Sequence, residues 1–130
     1  MNAIEYQDIE FAQLFFFKDY VISQLNEGVV LDKQKHVVLV KALSDYYKGQ
    51  PYVYIGYRVH EYNVNPMVYI ESRTISNLAG ICIVTPFKKD EKTARFESNF
   101  YEKEFYVCAQ LEEGINWALK IIKELHLKEN

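Results

Sequence analysis

The sequence predicts a single α/β domain built on a mixed, mostly parallel sheet with an N-terminal β-hairpin and flanking helices, in the order β-β-α-β-α-β-α-β-α. Three observations carry this. The runs PYVYIGY and NLAGICIVT are apolar on both alternating faces, as strands covered by helices on both sides are. Two segments, one after Asp32 and one from Leu111, repeat apolar residues at three- and four-residue intervals, the period of amphipathic helices. From residue 32 onward helix and strand patterns alternate, and repeated strand-helix units form parallel sheets with right-handed crossovers.

Taken in order, residues 11–25 (FAQLFFFKDYVISQL) place the polar pair Lys18 and Asp19 between two apolar runs, which predicts a hairpin. Asp32 is suited to cap a helix whose apolar positions are His36, Val40, Leu43 and Tyr47, with Val37 and Tyr46 beside them; Gly49 and Pro51 end it. Tyr52, Val53, Tyr54 and Ile55 form the next strand, central by its double-sided burial. Asn65 as cap and Pro66 at the first helical position open a short helix to about residue 73, because this position needs no backbone donor. NLAGICIVT follows as a strand. Residues 89–101 are charged, with Ala94, Phe96, Phe100 and Tyr101 as a broken apolar stripe on a surface helix. FYVCA is the last strand, and Ile115, Ala118, Ile122 and Leu125, widened by Trp117, Leu119 and Ile121, mark a terminal amphipathic helix.

The 130 residues are expected to form one domain over 1–130, a length that buries about two thirds of the surface its unfolded chain exposes. The net charge of −3 and the scattering of the 15 Lys and Arg exclude a basic stripe for nucleic acid. MNAIEYQDIE lacks a charged-then-apolar leader and no apolar run reaches membrane-spanning length, so the expected location is the cytoplasm. Cys82 and Cys108 lie within apolar strand-like runs without metal-ligand spacing, and are read as free core thiols rather than as a disulfide or metal pair. With 11 Tyr and 8 Phe, the aromatic content is high, and many tyrosines are expected at the core edge or lining a pocket.

The candidate site is the corner YRVHEYNVNP, where a strand runs into a helix. Tyr57 and Tyr62 offer flat apolar surface with a hydroxyl, Arg58 and His60 are placed to hold an anion, and Asn63 and Asn65 are suited to cap the following helix. The competing reading is that Arg58 pairs with a neighbouring carboxylate and the aromatics cover the sheet. Arg58, His60 and Glu61 suggest acid-base chemistry, but no nucleophile elbow, Gly-rich phosphate loop, paired metal ligands or orienting third residue accompanies them. The chain is therefore read as a non-enzyme with no metal and no cofactor. Phe15, Phe16 and Phe17 put aromatics on both faces of the hairpin, serving either the core or pairing of an open edge with a second copy in a homodimer.

The stretches LNEGVV, KGQPYVYIGYRVHEYNVNP, ISNLAGICIV and LEEGINWA resemble the SpoIIAA-like (STAS/SEC14-type) family of small bacterial proteins over residues 11–125. The resemblance implies the STAS architecture and protein-protein regulation in the cytoplasm. In the anti-sigma-factor antagonists of the wider superfamily a phosphorylatable Ser or Thr opens the helix after the third strand, which corresponds here to EYNVNP; residues 51–71 contain neither. The expectation is thus a non-catalytic interaction or regulatory module, docking to a protein partner or to itself through the hairpin edge and the corner from Tyr57 to Asn65. On that expectation, reversing the charge of Arg58 or truncating Tyr62 weakens docking without unfolding the domain. The alternative is a SEC14-like carrier for an apolar or anionic small molecule, which needs a pocket of about 300 Å³ or more.

Overall fold

The computed structural model describes residues 4–129. A six-stranded sheet runs in the order β1 (Glu5–Asp8), β2 (Ala12–Phe16), β3 (Tyr20–Leu25), β5 (Tyr52–Tyr57), β7 (Leu78–Val84), β8 (Phe105–Cys108). The first three strands are antiparallel, and β3, β5, β7 and β8 are parallel. Between them run α1 (Lys33–Tyr47), α2 (Met67–Ser72) and α3 (Glu91–Tyr101), and α4 (Leu111–Glu129) ends the described chain. A second, two-stranded parallel sheet joins β4 (Val30–Leu31) to β6 (Asn63–Val64).

The helices divide between the faces. Leu39, Leu43, Val68, Tyr69, Ala94 and Tyr101 from α1, α2 and α3 meet Leu14, Phe16, Ile81 and Ile83 on one face. Ala118, Ile121 and Ile122 from α4 meet Val53, Ile55, Cys82 and Val84 on the other. Strand periodicity produces this split, since successive side chains point to opposite faces. Two glycines set how closely α4 approaches: a Cβ on Gly114 would stand 2.9 Å from Val84 and 3.0 Å from the Cys82 sulfur, and one on Gly80 would stand 2.9 Å from the Trp117 ring.

The expected elements are present, with three corrections. The chain opens not with the hairpin but with β1, whose residues Glu5, Tyr6, Gln7 and Asp8 are all exposed and so carry no alternation. Because β1 pairs with β2, the hairpin has no open edge at Phe15, Phe16 and Phe17, and edge pairing through that strand is overturned. The helix stripes also shift in phase. In α1 the buried set is His36, Leu39, Ala42, Leu43 and Tyr47, while Val37 is 61% exposed; in α3 it is Ala94, Glu97 and Tyr101, while Phe96 is 58% exposed. Asp32 caps α1 as expected, accepting from the Lys35 N–H at 3.0 Å.

Candidate functional site

The corner after β5 is built by hydrogen bonds that tie it to two other segments. The Arg58 N–H donates to the Val84 carbonyl at 2.8 Å, holding the end of β5 against β7. Gly28 N–H donates to the Glu61 carbonyl at 2.7 Å, and Asn63 and Asn65 donate to the carbonyls of Val29 and Leu31, so the loop is sewn to the segment that leads into α1. The Asn65 side chain then accepts from Met67 N–H at 3.0 Å at the start of α2.

Arg58 turns inward. Tyr57 and Arg58 are neighbours at a strand end and so take opposite faces: Tyr57 packs beside α4, whereas Arg58 enters the layer of α2 and α3. At 5% exposure its guanidinium pairs with Glu97, itself 4% exposed, donates to the Tyr69 hydroxyl at 3.3 Å and to the Tyr62 hydroxyl at 3.1 Å, and lies 5.0 Å from the centroid of the Tyr62 ring. Tyr69 donates in turn to Glu97 at 2.5 Å. Burial works against the arginine charge, but Tyr62, Tyr69 and Glu97 reverse that effect and raise its pKa above the ordinary value. Burial, reinforced by the Glu97 charge, pushes the Tyr69 hydroxyl far above the usual tyrosine range. This is a closed polar network joining β5, α2 and α3, and Arg58 is not a surface cation; reversing its charge would unfold the region rather than only weaken docking.

Of the six corner residues, Arg58, His60, Tyr62 and Asn63 come together in one open cleft of about 380 Å³. Tyr57 and Asn65 do not line it. The cleft also takes Glu27, Glu61 and Asp90, so carboxylates outnumber the cations not already paired within it. His60 is exposed, with Nδ1 3.7 Å from Glu27, and Lys89 pairs with Glu61, holding that carboxyl below its usual range. An anion would find the guanidinium already engaged and the rim negative.

The interior holds a single-sided candidate for a carried molecule. A cavity of about 40 Å³ lies between α1, α2 and the sheet, lined largely by aliphatic residues with Tyr52, Tyr54, Tyr62 and Tyr69. That has room for about three waters, far short of the several hundred Å³ a lipid-like ligand needs. The tyrosines that the composition pointed to do line this cavity.

At its edge, His36 Nε2 stands 3.1 Å from Ser72 Oγ and Nδ1 stands 3.9 Å from Glu71. The distances resemble a Ser-His-acid set, but the protons run the wrong way. The Ser72 hydroxyl donates to the Val68 carbonyl at 2.8 Å, so it accepts from His36, whose Nε2 therefore carries the proton and is no base toward the serine. The result is a polar clip between α1 and α2. No group of three or more His, Cys, Asp or Glu that could hold a metal ion occurs among the described residues.

A row of aromatic side chains lies on the other face of the sheet. α4 lies over β5, β7 and β8 and touches only the margin of β3. Beyond it, the Tyr6 ring lies tilted against Phe15 with centroids 5.1 Å apart and Phe17 stacks at 4.6 Å on Tyr20, all on the α4 side of the antiparallel strands. Tyr6 is 54% exposed, whereas Phe15, Phe17 and Tyr20 are half-buried and pack against the core on the α4 side.

Sequence reading missed Glu97 and Tyr69. The signal was available for Glu97: Ala94, Glu97 and Tyr101 fall at three- and four-residue intervals, which puts a carboxylate inside the apolar stripe and demands a buried cation. Arg58, at the end of a doubly apolar strand, is where such a cation enters.

No family model matches the sequence, and no curated protein matches it. Among solved structures, the 2.25 Å crystal structure of an uncharacterised protein from the DUF3478 family with a SpoIIAA-like fold, from Shewanella loihica PV-4, matches over 89% of this chain and 92% of that one, with a TM-score of 0.53 at 13% identity. The present chain has a SpoIIAA-like fold, and at that identity the likeness speaks for the fold alone.

Proposed function

We propose that this SpoIIAA-like domain is a non-catalytic interaction module that works in the cytoplasm by docking a protein partner on the partly exposed aromatic row of its sheet beside α4. The observation that carries the reading is the row Tyr6, Phe15, Phe17 and Tyr20, left beside α4 where the six-stranded sheet is wider than the one helix that covers that face. Aromatic residues concentrate at the centres of protein interfaces because they bury much area with few rotors. The docking surface moves from the hairpin edge, which β1 occupies, to the hairpin face; the corner with His60 and Asn63 stands at the opposite end of the parallel strands and is not part of it.

The partner in this reading is a protein that brings a complementary apolar surface. Native mass spectrometry of the protein isolated gently from its host, beside Phe17→Asp, tests it. The wild type is expected to carry a second polypeptide that the variant loses, with affinity weakened by at least about tenfold for a central aromatic. A second copy of the chain in that position would make the module self-associating. A retained small molecule, or a complex that Phe17→Asp and Tyr6→Asp both leave intact, would overturn the proposed surface.

A further inference from the structure

Away from the aromatic face, the ends of β7 and β8 hold two thiols that no role above uses. Cys82 and Cys108 face α4 from adjacent strands with their sulfurs 3.9 Å apart. Cys82 is fully buried, whereas Cys108 is 9% exposed and lines an open cleft of about 560 Å³ with Thr85, Arg95, Tyr106 and Glu113. Gly114 keeps the ground beside both sulfurs free of a side chain, a Cβ there standing 3.0 Å from the Cys82 sulfur and 3.6 Å from that of Cys108. β8 is a four-residue strand at the sheet edge whose pairing with β7 sets Cys108 opposite Val84 and so diagonally across from Cys82.

We propose that Cys82 and Cys108 are a peroxide-responsive pair, in which Cys108 is the thiol that meets the oxidant and Cys82 is the resolving thiol. The asymmetry follows from access: one sulfur opens to a cleft that admits a molecule as small as hydrogen peroxide, and the other lies behind it. The Cys82 thiol donating to the Cys108 sulfur agrees with it, drawing the Cys108 pKa below its ordinary value while pushing Cys82 up; the Cys108 thiol's own bond to the Gln110 carbonyl, 3.4 Å long, is given up when the thiolate forms.

The chemistry balances with peroxide as the only co-reactant. The Cys108 thiolate attacks one peroxide oxygen, the O–O bond breaks, and hydroxide leaves to take up the thiol proton as water; Cys108 becomes a sulfenic acid. The Cys82 sulfur then attacks the Cys108 sulfur, the S–O bond breaks, and the departing hydroxide takes the Cys82 proton as a second water. Two thiols have lost two electrons to one peroxide. Closing the sulfurs from 3.9 Å to a bond of about 2.05 Å ties the edge strand to β7 beneath the first turns of α4.

The test treats the folded, reduced full-length protein with hydrogen peroxide and maps its peptides by mass spectrometry. The expected product is a Cys82–Cys108 crosslink, two hydrogens lighter, that dithiothreitol reverses. In Cys82→Ala, dimedone is expected to trap a sulfenic acid at Cys108, and Cys108→Ala is expected to resist peroxide at Cys82. The wild-type map stands whether or not the variants fold. Two intact thiols in the folded protein under conditions that oxidise the urea-unfolded chain would overturn the proposal, as would a crosslink that forms only between molecules.

Discussion

Removing Glu97 is the most informative perturbation of the network at the β5 corner. In Glu97→Ala the Arg58 guanidinium keeps its Tyr62 and Tyr69 neighbours and loses its counter-charge, at a position only 5% exposed. Breaking a buried ion pair by deleting one member costs about 3–5 kcal/mol, because an uncompensated charge stays inside. With an unfolding entropy of about 2.1 cal/mol/K per residue over the 130 residues, that lowers Tm by about 11–18 °C. Replacing both partners with apolar residues of similar volume, Arg58→Met with Glu97→Leu, removes the charge together with its need for a partner. That double variant is expected within about 2 kcal/mol of the wild type, since buried pairs often exchange for packed side chains with little loss. Urea unfolding of wild type, both singles and the double completes the cycle. A Glu97→Ala variant within about 1 kcal/mol of the wild type, or a double as unstable as the sum of its singles, would refute the view that the pair is buried and mutually dependent.

Two further outcomes follow from particular contacts. Burial of His36 outweighs the pull of Glu71 and lowers its pKa in the folded protein, so as pH falls below about 6.5 the unfolded chain takes the proton first and stability declines until the folded-state value is passed. His36→Gln keeps a donor for Ser72 and is expected to flatten that decline between pH 7 and 5 in thermal melts; an unchanged slope would assign it elsewhere. Gly114→Ala adds a methyl 2.9 Å from Val84 and 3.0 Å from the Cys82 sulfur, so overpacking of about 1–3 kcal/mol should exceed the roughly 1 kcal/mol gained in helix propensity and lower the urea midpoint.

The reading of the corner shows where local sequence stops. Arg58, His60, Tyr62 and Asn63 line one cleft, and Tyr57 and Asn65 lie outside it. The direction of Arg58 was not legible, because it depends on Glu97, which lies 39 residues further along and reaches the corner only when α3 packs beside α2. β1 escaped notice for the opposite reason: an exposed edge strand is held by backbone hydrogen bonds to β2, which any side-chain pattern permits.

By itself the sequence determined the alternation of strands and helices, the Asp32 cap, the stop after α1, the Asn65-Pro66 opening of α2 and the absence of a Ser or Thr through residues 51–71. These depend on periodicity and on backbone preferences within a few residues. Only the tertiary structure decided that Arg58 is internal, that the tyrosine-lined cavity is about 40 Å³, that the hairpin's free surface is its face, and that two cysteines 26 residues apart stand 3.9 Å from one another. Those outcomes depend on which surfaces the crossovers bring together, and one helix laid over a six-stranded sheet leaves a remainder that no single segment records.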